Sequence, residues 1–278
     1  MKNLLFHIDH SSHPEYITEI LQLLESGVKY DDIFDYGKNE GKFSSINTKK
    51  SFNNVLTNLK RLEIINKDNA WPKFGEILLK HLHDNDILSN LLHYKLFSLW
   101  NPGNYANNCF SWSYQTICKI LADYDGQLID LKKISQKLQE TIEIEFVQQF
   151  NEDISKVSIS PNTINGALKW LELLKPEVIR NERGKVVFKK RDSCPCWLIL
   201  LGVNLIYQEK SIPYGSNIIF SQDIIDRLLN ITLLNDEGFN MIYKWTKTQY
   251  PDFIQEITGG GWETQICLLK EPQLTEVL

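Results

Sequence analysis

Histidine and cysteine have the widest chemical reach of any residues in this chain, and their spacing decides what they can do. The six histidines are His7, His10, His13, His81, His83 and His93. His7, His10 and His13 recur every three residues around Asp9. On one helix the three imidazoles would share a face, with Asp9 orienting them or adding a ligand. Ser11, Ser12 and Pro14 interrupt that geometry and predict an irregular segment entering a helix, so surface or capping histidines are expected and no metal. A metal-dependent enzyme built on this cluster is a third functional class, behind the two developed below.

The five cysteines, an odd number, do not suggest a disulfide framework. Cys194 and Cys196 are separated by one residue, where a zinc knuckle usually has two, and Cys109, Cys118 and Cys267 are scattered. Buried structural thiols are the expectation. Gly259 to Gly261 lack the Lys-Ser/Thr ending of a phosphate-binding loop and predict a hinge before a strand. No serine elbow is present, and Asp31-Asp32 and Asp236-Glu237 extend into no nuclease motif. Asp84-Asn85-Asp86 reads as a loop that caps a helix. The residues therefore name no catalytic group and no cofactor.

Binding chemistry is better marked. Phe52, Val55, Leu56, Leu59 and Leu62 make one apolar helical stripe. Lys49, Lys50, Asn53, Asn54, Asn58, Lys60 and Arg61 lie off that stripe, cations and amides of the kind that reach phosphates and base edges. Ile64-Ile65, a polar turn over Asn66 to Asn69, and Trp71-Pro72 follow, and predict a short hairpin. A cationic helix running into a hairpin is the outline of a winged helix-turn-helix. Ile17, Ile20, Leu21 and Leu24, bracketed by Pro14 and Gly27, supply the preceding helix, and residues 31–44 the short middle one.

A second basic stretch contains Arg180, Arg183, Lys185, Lys189, Lys190 and Arg191 against Glu182. It follows a predicted helix over 160–174 and sits on a predicted hairpin, Val178 to Arg180 and Val186 to Phe188. Arg183, Lys185, Lys189 and Lys190 are the expected additional nucleic-acid contacts. A net charge of −5 argues against coating DNA by charge alone, so the local patches matter more than the sum.

The elements that must hold these residues are mostly helical. Helices are predicted at Phe74 to His81, Ile87 to Trp100, Phe110 to Leu121, Leu131 to Phe146, Cys196 to Tyr207, Ser221 to Leu229 and Asp236 to Thr248. A final strand is predicted from Trp262 to Lys270. At 278 residues there is room for two cores. The expected architecture is mainly α (α+β): two winged-helix-like units with short β-hairpin wings, joined by a helical middle. They are placed at 1–125 and 161–278, with a helical linker over 126–160. The longest apolar run, Trp197 to Leu201, is too short for a membrane span, and MKNLLFHIDHSS lacks the core of a secretion signal. A cytoplasmic protein is expected.

Ile46 to Ile65 and Leu91-Leu92-His93-Tyr94 resemble the two best-marked segments of a prokaryotic family catalogued as domain of unknown function 4007. Lys49, Leu59, Leu62, Ile64 and Ile65 occupy the places of that family's basic helix and the turn that ends it, and Phe110-Ser111-Trp112 echoes its aromatic stretch. Glu63 stands where the family has glycine and Lys50 where it has asparagine, and Phe6-His7-Ile8-Asp9 only loosely echoes its Gly-His-Glu opening. The resemblance implies a setting of phage defence or DNA sulfur modification and carries over no catalytic residue. The combined expectation is a non-catalytic subunit that binds nucleic acid, duplex DNA in particular, within a multi-subunit complex. The alternative is a protein–protein adaptor that docks a catalytic partner through Trp100, Trp112, Trp245 and Trp262.

Overall fold

A computed structural model describes residues 4–8, 14–43, 46–66, 71–153, 157–158, 162–182, 185–257 and 263–278. With 60% helix and 10% strand, the protein is mainly α with small sheets. Its chain forms two compact units, Met1–Ile120 with Asp130–Leu174, and Leu121–Ile129 with Lys175–Leu278.

The first unit runs β1 (Leu4–Leu5), α1 (Pro14–Glu25), α2 (Ile33–Asn39), α3 (Lys49–Arg61), α4 (Lys73–Lys80), α5 (Asn85–Ser98), α6 (Tyr105–Ala122), α7 (Leu131–Thr141), α8 (Gln148–Phe150), β2 (Val157–Ser158) and α9 (Asn162–Leu171). The α1 stripe of Ile17, Ile20 and Leu21 is fully buried. Gly27 ends that helix at φ +86°, where glycine bears no Cβ penalty. The Asp84 side chain accepts from the amides of Asp86 and Ile87 at 3.1 and 3.0 Å, the cap read from the sequence. Helices α5 and α6 are joined by polar contacts as well as packing. His93 Nδ1 lies 2.8 Å from the Tyr114 hydroxyl, and Gln115 Nε2 donates to the Phe97 carbonyl at 2.7 Å. A π-helical turn, Ile142–Val147, continues α7 and delivers Phe146 to a cluster with Phe6, Trp100, Trp112 and Phe150. β1 and β2 pair in parallel, Leu4 opposite Val157.

The second unit runs β3 (Ile179–Glu182), β4 (Lys185–Phe188), α10 (Cys196–Glu209), β5 (Asn217–Ile219), α11 (Gln222–Thr232), α12 (Asp236–Gln249), β6 (Ile254–Ile257), β7 (Gln265–Leu268) and α13 (Leu274–Val277). Helix α10 is buried along its whole length from Trp197 to Tyr207, as expected of a helix apolar on every side. It packs against α11 and α12. β3 and β4 form an antiparallel hairpin, and β5, β7 and β6 form an antiparallel sheet in that order. No described helix is long and apolar enough to cross a membrane.

Four expectations need correction. Ile64, Ile65, Asn66, Trp71 and Pro72 form no strand, and 67–70 lie outside the described residues, so no wing follows α3 among the described residues. Ile64 and Ile65 are both buried, at 0% and 1% exposure, whereas a strand with one solvated face would expose one of them. The connection between α2 and α3 spans residues 40–48, longer than the three or four residues of a helix-turn-helix. The predicted helix over 160–174 is α9 of the first unit, while its expected hairpin, β3–β4, belongs to the second. Finally, 126–160 is no linker. Ile134, Leu138 and Ile142 are buried, which draws α7 into the first unit, while residues 121–129 belong to the second.

Candidate nucleic-acid interface

Helix α3 begins at Thr48, whose side chain accepts from the Ser51 amide at 3.1 Å. Phe52, Val55, Leu56, Leu59 and Leu62 are buried as the stripe requires, and Asn58 is buried with them. At about 100° per residue, Lys49, Lys60, Asn53, Thr57, Lys50, Arg61 and Asn54 fan in that order across roughly 140° of the helix surface. Lys49, Lys50, Asn53 and Thr57 are exposed, and Asn54, Lys60 and Arg61 are half-buried. Among the described residues, no ion pair engages Lys49, Lys50 or Lys60.

The two cations of the last turn are placed differently. The Lys60 ammonium stands 5.6 Å from the centre of the Tyr30 ring, in contact range but still half-exposed. The Arg61 guanidinium lies 4.4 Å over Phe110, and Arg61 also lines a small cavity with Asn58, Leu96 and Trp170. Arg61 is therefore turned into its own unit and is a weak candidate for reaching a phosphate. Thr57 completes the exposed face, although sequence reasoning singled out only the amides and cations around it. Its position four residues after Asn53 was the available signal.

A tight cap closes α3. The Ile64 amide donates to Leu59 O at 2.8 Å and the Glu63 amide to Lys60 O at 3.1 Å. This is the Schellman arrangement, and Leu59 and Ile64, the two positions whose apolar contact usually accompanies it, are both buried. Glu63 takes the left-handed position at φ +53°, the conformation that glycine adopts most freely. Its carboxylate accepts from Lys95 Nζ at 2.6 Å.

The second basic stretch is less concentrated. Lys185 and Lys189 are exposed and Lys190 is half-buried, while Arg183 lies outside the described residues. Lys185 and Lys189 are about 13 Å apart along an extended chain. The Lys190 amide donates to Asp125 Oδ1 at 2.7 Å. Arg191 is fully buried: Nε donates to Thr232 O at 2.7 Å and Nη1 to Lys175 O at 3.3 Å. It belongs to the core of the second unit. Helix α3 and the hairpin lie in different units, so each stands as a separate surface.

The groups weighed for metal or nucleophilic chemistry are held in packing roles where they are described. His7 Nδ1 lies 3.2 Å from Thr163 Oγ1, and His93 is buried against Tyr114. His10, His13 and Gly259 to Gly261 lie outside the described residues. Burial pushes the Cys109 thiol up to about 12 and the Cys194 thiol up to about 11, and raises Cys118, Cys196 and Cys267 as well. Such thiols stay protonated at neutral pH and make poor nucleophiles. Among the described residues, no three His, Cys, Asp or Glu side chains gather as a metal site.

No family model, curated protein or solved structure matches the chain.

Proposed function

We propose that the protein is a non-catalytic, cytoplasmic nucleic-acid-binding subunit that engages duplex DNA through α3. The observation that carries this reading is the face of Lys49, Lys50, Asn53 and Lys60: helical, exposed at Lys49, Lys50 and Asn53 and half-exposed at Lys60, with its cations free of carboxylates among the described residues. A helix presenting cations and amides in this way suits phosphate contact along the backbone and amide contact with base edges. The reading needs no wing, because the helix alone supplies the contacts. The resemblance noted from the sequence adds a setting, phage defence or DNA modification, in which the subunit would work beside an enzyme.

The test is the salt dependence of binding to a duplex. Replacing Lys49 and Lys50 with alanine should weaken binding at every sequence and flatten the salt slope by about 1.8, or roughly 0.9 for each phosphate contact removed. Unchanged affinity and slope would remove α3 from the interface.

A second reading, the adaptor, is favoured by α12. Met241 and Trp245, one helical turn apart, are 40% and 53% exposed, an apolar pair of the type that anchors protein interfaces. The other expected anchors do not support it equally: Trp112 is buried, Trp100 packs on Phe146 and Phe150, and Trp262 lies outside the described residues. Capture of a stable partner by the intact protein, lost on Trp245→Ala and resistant to nuclease, is the result expected of this role.

A further inference from the structure

The centre of the α3 face is uncharged, and its groups suit few base edges. Asn53 and Thr57 stand side by side there, with Lys49 and Lys60 to one side of them and Lys50 to the other. Both are exposed. Among the described residues nothing bonds the Asn53 carboxamide, so its oxygen and its NH2 are both available. The Thr57 hydroxyl donates to Asn53 O at 2.8 Å. That bond spends its only proton, so Thr57 has no donor left and offers its methyl group.

Base edges in the major groove, which admits a helix, differ in what they ask for. Guanine is met best by the fork of an arginine, and the arginine of α3, Arg61, lies 4.4 Å over Phe110. Cytosine presents a donor that a carboxylate would accept, and α3 contains no carboxylate. Adenine offers an acceptor at N7 beside a donor at N6, the complement of a free carboxamide. Thymine offers a methyl group, which suits the methyl of Thr57. Four residues of helix put the two side chains about 6 Å apart along the axis, within about two base pairs of each other.

We propose that α3 selects A·T base pairs in the major groove, with Asn53 pairing to adenine at N6 and N7 and Thr57 laying its methyl group on that of thymine. This rests on the reading that α3 holds duplex DNA, and adds to it which base pairs the helix prefers. Lys49, Lys50 and Lys60, on the two flanks, contact phosphate and carry no sequence information.

The experiment measures binding of the full chain to duplexes of one length at one salt concentration. One is A·T-rich and one G·C-rich; two more are the A·T duplex with 7-deazaadenine for adenine or deoxyuridine for thymidine. The analogues delete the N7 acceptor and the thymine methyl and leave every phosphate in place. Wild type should prefer the A·T duplex by about tenfold, lose most of that preference on 7-deazaadenine, and lose up to about fourfold on deoxyuridine. Asn53→Ala should no longer distinguish adenine from 7-deazaadenine. Thr57→Ser, which keeps the hydroxyl for Asn53 O, should no longer distinguish thymidine from deoxyuridine. Equal binding of the A·T and G·C duplexes, or a preference that survives both analogues and so reflects groove shape, would overturn the proposal. If that happens while Lys49→Ala with Lys50→Ala still flattens the salt slope, the α3 reading stands and only the selection fails. If no duplex is bound, both fall together.

Discussion

Helix α3 and the β3–β4 hairpin region carry similar runs of positive charge in sequence, and the fold uses them in opposite ways. A helical repeat gathers Lys49, Lys50, Asn53 and Lys60 onto one face, because residues three and four apart stack above one another. An extended chain spaces its residues by about 3.3 Å, so Lys185 and Lys189 share a side about 13 Å apart with only Val186, Val187 and Phe188 between them. Arg191, at the end of the same run, is drawn inside to satisfy backbone carbonyls. A polyanion meets charge on a surface and not charge per stretch of chain, which is why the two runs differ in what they offer.

The largest effect that sharpens this contrast concerns Arg191. Arg191→Met should remove the donors to Thr232 O and Lys175 O and cost about 3 kcal/mol or more in urea unfolding. A variant as stable as wild type would return that guanidinium to the surface run. Next comes the hairpin. Lys185→Ala with Lys189→Ala should alter duplex affinity by less than about twofold, because two dispersed lysines make at most weak non-specific contact. A loss matching that of the α3 double variant would erase the distinction between the two regions.

Thiol labelling probes the cores behind both surfaces. With burial raising Cys109 to about 12 and Cys194 to about 11, neither should react appreciably with a thiol reagent at pH 8 in the native protein. Labelling of Cys109 should begin only as pH approaches its raised value or as the first unit opens. Rapid native reaction at either residue would contradict its packing. The smallest expected effect is at the α3 cap. Glu63→Gly relieves the left-handed strain but gives up a half-exposed ion pair, so Tm should rise by only about 2 °C. A fall in Tm would show that the Lys95 contact outweighs the backbone term.

Much of the helical frame is legible in the residues. The stripes of α1 and α3 and the cap at Asp84 follow from apolar period and local hydrogen-bonding chemistry. So does α10, whose apolar run was too short for a membrane and too uniform for a surface helix. That Ile64 and Ile65 form a buried turn and no strand was not legible, because two adjacent isoleucines fit both equally well until the Glu63 cap is seen. β1 and β2, of two residues each, depend on a partner more than 150 positions away and leave no local pattern. On the candidate face, Lys49, Lys50 and Asn53 were readable from helical spacing. The inward turn of Arg61 was not, since a cation's charge does not reveal whether an aromatic ring such as Phe110 lies beneath it.

The interleaving of the two units has a consequence for how this protein can be divided. Residues 121–129 sit between stretches of the first unit, yet their amides at Gly126 and Ile129 donate to the carbonyls of Phe188 and Val186 at 2.9 Å each. A gene fragment ending at 174 would keep those donors and discard their acceptors, and one starting at 175 would do the reverse. A single cut at 174 therefore leaves the first unit whole but never yields the second, whose residues 121–129 travel with the first.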